Sequence, residues 1–289
     1  MNTLKTKIPP PLDPAFVPAS LWNQEFHQLV KNDPHPVKIT LGLLREKDLI
    51  FRYETSLLSG HSTGNDELNY FYLERLFKHL LWHKGGHTLF LHGASHLLDR
   101  LRQCYSPQGK RSFDRQLIGQ KVYGTGLHFE NVLPPTPSPL QSTSGQDMAK
   151  NSHGHRVGID LGGSDRKYAA VSDGKVVESG EILWDPYPQA DPDWHYDQIN
   201  DCIKRAAAKL PRVDAIGVSA AGIYVDNQAR AGSLFRGISD DLFKQKIVPL
   251  FLELQKEWKN VPLVVANDGD VTALAGAMAL QDAPVLGIA

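Results

Sequence analysis

Residues 134–155, PPTPSPLQSTSGQDMAKNSHGH, carry almost no large apolar side chains, and no other stretch limits the folding of the chain so strongly. A segment rich in Pro, Ser, Thr, Gly and Gln cannot repay the entropy of being ordered by burying apolar surface. It predicts an interdomain linker over 131–155, with a separate core on each side. The 289 residues suffice for two ordinary domains. Ahead of the linker, Pro9, Pro10, Pro11, Pro14, Pro18, Pro34 and Pro36 forbid a continuous helix or a central strand. An extended arm over 1–36 is expected, with one short helix at LWNQEFHQLV.

From Val37 the pattern changes. VKITLGLLREKDLIFRYETSLL alternates as two strands with REKD as their turn. NDELNYFYLERLFKHLLWHKGG spaces Leu73, Leu76, Phe77 and Leu80 for one helical face and stops at Gly85-Gly86. HTLFLHGA reads as a strand, and SHLLDRLRQCY as a helix that Ser95 can cap. Residues 37–130 are therefore expected to form a small α/β domain. Beyond the linker, HRVGIDLGG, KYAAVSDG and KVVESGEI predict antiparallel strands, with a tight turn at Asp173-Gly174. Tyr196, Ile199, Cys202, Ile203 and Ala206 mark a helix face, and VDAIGVSAAG a buried strand. ISDDLFKQKIVPLFLELQKEW predicts a helix kinked at Pro249. VPLVVAND reads as a strand buried on both faces, followed by an Ala-rich helix and a further strand at PVLGIA.

Composition excludes several classes of function. Lys and Arg number 31 against 32 Asp and Glu, so no basic field exists to hold a nucleic acid or an anionic membrane, and neither is expected as a partner. No apolar run reaches the roughly 20 residues of a membrane span, and the start lacks a secretory stretch, which predicts a cytoplasmic protein. Cys104 and Cys202 are too few for a disulfide framework or a cysteine-rich zinc site. His79, His83, His87, His92 and His96 fall at near-helical spacing, but Gly85-Gly86 interrupts them, and no metal role is assigned.

Two segments carry chemistry. In VGIDLGGSDRK an apolar strand ends in Asp160 and passes into Gly162, Gly163 and Ser164. Glycine amides and a serine hydroxyl suit phosphate oxygens, and a carboxylate fixed at a strand end suits Mg²⁺ held through water. The same residues also describe a plain glycine hairpin with a solvated aspartate. In VVANDGDVTALAGA, Asn267 and Asp268 stand where an apolar strand meets a helix, the crevice end of an open α/β sheet. Asp268 is a candidate general base, with Asn267 orienting the attacking hydroxyl. Taken alone, the segment reads first as a turn with an Asp cap on the following helix.

Together the two segments resemble the actin-like ATPase superfamily of sugar kinases, and within it the repressor/open-reading-frame/kinase (ROK) family. Its strand-borne Asp-x-Gly-Gly-Thr loop is matched by Asp160, Gly162, Gly163 and Ser164, with Ser in place of Thr, and its Asn-Asp pair by Asn267 and Asp268. AIGVSAAGIYVD looks like the family's Gly-Val-Pro-Gly segment without the proline. The resemblance covers 156–289 and implies an α/β fold: an actin-like, ribonuclease H-like lobe with a mixed sheet and flanking helices, beside the smaller N-terminal α/β unit. It implies ATP and Mg²⁺ as cofactors, a sugar as substrate, and phosphoryl transfer to a sugar hydroxyl. The family's His and Cys-x-Cys-Gly zinc cluster has no counterpart. Its second phosphate loop and second lobe do not follow Ala289, so a first lobe only is expected, truncated or inactive alone. A complementing second-lobe chain or a homo-oligomer would then supply the rest. The alternative is a non-catalytic module that senses sugar or nucleotide.

Overall fold

The computed structural model describes residues 8, 10–14, 16–60, 63–134, 153–280 and 287. The chain divides into two compact units, 1–139 and 140–289, each with its own buried core. Most of the expected linker, 135–152, and the strand expected at PVLGIA, apart from Gly287, lie outside the described residues.

In the first unit, helix α1 (Ala19–Asn32) begins after Pro18 and buries Trp22, Phe26 and Val30, a four-residue row along one face. Strands β1 (Val37–Leu44) and β2 (Ile50–Leu57) form the hairpin, in register from Val37↔Leu57 to Leu44↔Ile50, with Asp48 in the left-handed region at φ 57°. Helix α2 (Thr63–Lys84) stops at Gly85 and Gly86, whose φ values of 72° and 139° a side chain would oppose. Strand β3 (Thr88–His92) follows. A 3₁₀ turn, Ser95–Leu97, leads into α3 (Leu98–Cys104), which has no side-chain cap, so Ser95 does not play the expected role. With β4 (His128–Glu130) the sheet runs β2-β1-β3-β4, antiparallel except for the β3–β4 pair. Leu41, Leu43, Leu89 and Leu91 of the sheet share one cluster with Phe26, Leu73 and Phe77 of the helices.

The second unit contains β5 (His155–Leu161), β6 (Asp165–Ser172), β7 (Lys175–Leu183), α4 (Pro192–Ala207), β8 (Ala215–Ala220), β9 (Ile223–Val225) and β10 (Gln228–Ala231). Helix α5 (Leu250–Glu257), strand β11 (Leu263–Asn267) and helix α6 (Asp268–Ala279) complete it. Its sheet runs β11-β8-β5-β6-β7, with β5, β8 and β11 parallel and β6 antiparallel to both its neighbours. Numbered within the unit, that order is 3-2-1-4-5 with the second strand reversed, a mixed α/β arrangement of the ribonuclease H-like kind. Asp173 and Gly174 both take positive φ in the β6–β7 turn. Pro249 has no N–H to donate, and the helix before it loosens into a π-helical stretch, Phe243–Ile247, with Val248 N–H bonding the Phe243 carbonyl.

One sheet face is apolar: Val157, Ile159, Leu161, Ile216, Val218, Leu263 and Val265 meet Ile199, Cys202 and Ile203 of α4 and Phe251 and Leu254 of α5. The other face is not covered in the same way. Gly158, Asp160, Gly217, Ser219 and Ala266 floor a trough of about 1040 Å³, walled on one side by Val271, Leu274 and Ala275 of α6. The apolar run of β11 is therefore not buried on both faces, because Val264 is 62% exposed. Among the described strands β11 is at the sheet edge, and α6, although rich in alanine, buries none of its residues.

Candidate functional site

The three parallel strands bring their carboxyl ends to one rim. Leu161, Ala220 and Asn267 lie side by side across β5, β8 and β11, and Asp160, Ser219 and Ala266 form the row just before them. With one strand between them, β5 and β11 stand about 10 Å apart. Alternation along a strand sends these rows to opposite faces. Asp160 lines the trough; Leu161 and Ala220 are buried on the core side. Asn267, Asp268, Gly162, Gly163 and Ser164 do not line the trough, so the sequence-predicted residues gather at one end of the sheet without sharing one hollow.

Asp160 heads a charged row. It faces Lys167 on β6, which faces Glu181 on β7. The Lys167 ammonium pairs with Asp165, and that bond, with smaller contributions from Glu181 and Asp160, holds the ammonium above its usual range. Lys167 and the Ser164 hydroxyl in turn hold the Asp165 carboxyl below its usual range.

The loop between β5 and β6 is tied by internal hydrogen bonds. Gly162 N–H bonds the Asp165 carbonyl at 2.9 Å, and its own carbonyl accepts from Trp184 Nε1 at 2.8 Å. Ser164 Oγ donates to Asp165 at 2.9 Å. At Gly163 a Cβ would lie 2.2 Å from the Tyr187 hydroxyl, so the space that a glycine leaves is filled by a phenol. Arg236 stacks over that phenol ring at 3.8 Å.

At the other end of the rim Asn267 is the N-cap of α6. Its Oδ1 accepts from Gly269 N–H at 2.9 Å and its Nδ2 donates to the Gly222 carbonyl at 2.9 Å. An amide side chain has two N–H donors and two lone pairs, so one of each remains for a ligand among the described residues. Gly222 itself sits at φ 146°, where a Cβ would meet the Ala231 carbonyl at 2.4 Å. Asp268 opens the helix, with Oδ1 3.0 Å from Gly269 N, in the stabilising first-turn position for a negative charge. Burial and the nearby Asp268 carboxylate push the Tyr224 phenol above its usual range.

Tyr187, Arg236 and an aromatic stack behind the loop escape sequence reasoning. Trp184 stacks on Trp194 at 5.7 Å, and His195 is edge-on to Trp194 at 5.1 Å and to Phe235 at 5.2 Å. His195 is fully buried, and among the described residues its ring nitrogens meet no side-chain hydrogen-bond partner. Burial pushes its imidazole down, with the Gln189 backbone opposing. No local spacing signals these contacts.

The residues suit Mg²⁺ in one way only. Among the described residues no group of three or more His, Cys, Asp or Glu could hold a metal ion, so a protein cage is absent there. A lone hard carboxylate at Asp160 matches Mg²⁺ that keeps its waters and brings phosphate oxygens of its own. Among the described residues no helix is long and apolar enough to cross a membrane.

No protein-family model matches the chain, and no curated protein matches it. Solved structures do. A ROK hexokinase from Thermus thermophilus matches at TM-score 0.32 and 17% identity, over 43% of this chain and 38% of that one. A glucokinase from Parabacteroides distasonis matches at TM-score 0.34 and 20% identity, over 44% and 34%. A Bacteroides thetaiotaomicron protein with an actin-like ATPase fold matches at TM-score 0.26 and 7% identity, over 90% and 66%. The chain thus spans little more than a third of the two kinases.

Proposed function

We propose that the second unit is a sugar-kinase-like lobe of the ROK type, which brings ATP with Mg²⁺ and a sugar hydroxyl to the carboxyl rim of its sheet. The observation that carries this reading is the convergence of Asp160, the Gly162–Ser164 turn and the Asn267–Asp268 pair, a hundred residues apart, at one rim of a 3-2-1-4-5 sheet. In this reading Asp268 accepts the proton of the hydroxyl that attacks the γ-phosphorus. Asn267 offers its spare N–H and lone pair to the sugar. Asp160 anchors Mg²⁺ through water, and the turn receives phosphate oxygens once Ser164 releases Asp165. A second surface must face the rim to exclude water during transfer.

Removing a general base lowers turnover by about a hundredfold or more. Asp268→Ala should therefore abolish most hexose-dependent ADP release and leave hexose affinity, read by calorimetry, within a few-fold of the unaltered chain. Equal turnover in the variant would remove Asp268 from the chemistry. The internal hydrogen bonds of Ser164 and Asn267 favour a second reading, a sensing module. Binding of a hexose or of ATP with no ADP release, in the presence of both, would establish it instead.

A further inference from the structure

The first unit contains a cavity of about 370 Å³, within the size range of small-molecule sites, set between α1, α2 and the edge strand β2. Its walls follow from helical spacing. Asn23 and His27 lie four residues apart on α1, beside the buried row of Trp22, Phe26 and Val30. Tyr72, Arg75 and His79 lie three and four apart on α2. Tyr53 faces the same space from β2, where its partner Leu41 is buried and the core runs out at the sheet edge.

The chemistry of this lining is one-sided. It holds a guanidinium, two imidazoles, an amide and two phenols, and no carboxylate. Among the described residues Arg75 makes no ion pair; its guanidinium rests over the Phe71 ring at 5.1 Å. The Tyr72 ring is fixed by stacking on Phe26 at 4.4 Å and by its hydroxyl beside Thr55 at 3.2 Å, and His27 meets it edge-on at 5.4 Å. Leu76 and the Tyr72 ring leave an apolar wall beside the donors.

We propose that this pocket binds a small organic phosphate monoester. A guanidinium fork satisfies a planar carboxylate alone, with two parallel bonds. Here donors converge from two helices and a strand, which suits the three peripheral oxygens of a tetrahedral phosphate, while the apolar wall takes the organic group. A cation or a metal ion is opposed by Arg75.

The test uses the full chain, with glucose 6-phosphate, inorganic phosphate and acetate as probes, read by calorimetry and by NMR of the histidine rings. Glucose 6-phosphate is expected to shift the ring signals of His27 and His79. Arg75→Gln should weaken its binding about tenfold or more, as loss of a charge-assisted bidentate contact does. The ring signals of His155 and His195, both in the second unit, should stay unmoved at concentrations that shift His27 and His79, which separates this site from the rim. If Arg75→Gln loses its circular dichroism, His27→Gln, on the exposed side of α1, takes its place with a several-fold loss expected. Acetate binding as tightly as glucose 6-phosphate would overturn the phosphate class. Unmoved His27 and His79 signals, or undiminished affinity in the folded variants, would overturn the site.

Discussion

Asn267→Ala tests whether the amide at the rim is chiefly a structural tie. The substitution removes the cap on Gly269 N–H and the donor to the Gly222 carbonyl, both at 2.9 Å. Loss of an N-cap costs about 0.5–2 kcal/mol, and a hydrogen bond about 0.5–1.5 kcal/mol. Asp268 Oδ1 already stands 3.0 Å from Gly269 N, so a substitute acceptor remains and the cap loss falls toward its lower end. The sum is about 1.5 kcal/mol, or roughly tenfold in the equilibrium for opening the start of α6. Amide hydrogen exchange followed by NMR reads this directly, and Gly269 and the first turn of α6 should exchange about tenfold faster while β1 and β3 do not change. Asn267→Asp keeps a good cap and replaces the donor by an acceptor facing the Gly222 carbonyl. It should loosen the 220–222 loop and spare Gly269. Unchanged exchange across α6 in Asn267→Ala, together with lost hexose affinity, would refute the structural assignment and give the amide to the sugar.

Two further outcomes rest on electrostatics. Burial holds the His195 imidazole below its unfolded value of about 6.5, so on acidification the unfolded chain takes up the proton first. The stability of the second unit is therefore complete above about pH 6.5 and declines as pH falls through that value. Urea midpoints between pH 7.5 and 5 should show that slope, and His195→Phe should flatten it; an equal slope in the variant would exclude His195 as its source. At the rim, Asp160, Asp165 and Glu181 surround the single ammonium of Lys167, leaving two uncompensated negative charges beside the turn. ATP should bind there in calorimetry with MgCl₂ and fail to bind with excess EDTA, and equal affinity in both would contradict the placement of phosphates at this turn.

Much of the fold is legible because its signals are local. Gly85-Gly86 ends α2 and Asp173-Gly174 turns β6 into β7 because those residues accept positive φ. The alternation of Val157, Ile159 and Leu161 with Gly158 and Asp160 marks one buried face on β5. β11 misleads for a physical reason: its apolar run says that water is disfavoured, but not which partner excludes it. Val264 lies against no covering layer among the described residues, since α6 meets the sheet along the trough wall only. The helix from Ser95 fails similarly, because capping depends on backbone angles that residue type does not set. There the chain enters through a 3₁₀ turn.

The candidate site divides along the same line. Residue types at Asp160 and at Asn267-Asp268 are readable, and so is their arrival at one rim, because parallel strands must present their carboxyl ends together. What surrounds them is set by chain segments with no sequence link to the motifs. The Tyr187 hydroxyl reaches Gly163 from the connection between β7 and α4, and Arg236 reaches Tyr187 from beyond β10. Gly163 thus makes room for a phenol already present, independently of any phosphate. The same holds for Ser164, whose hydroxyl is committed to Asp165, and for Asn267, whose amide ties α6 to Gly222. A motif of glycine, serine and acids names groups able to bind phosphate. Whether they are free to do so is a tertiary property, since each hydrogen bond made within the protein must be exchanged for one to the ligand, and only the difference appears as affinity. The turn therefore holds phosphate oxygens firmly only if they, with their cation, compensate the Ser164–Asp165 bond that they displace, whereas a sugar at Asn267 can use the donor and lone pair that the Gly222 and Gly269 bonds leave.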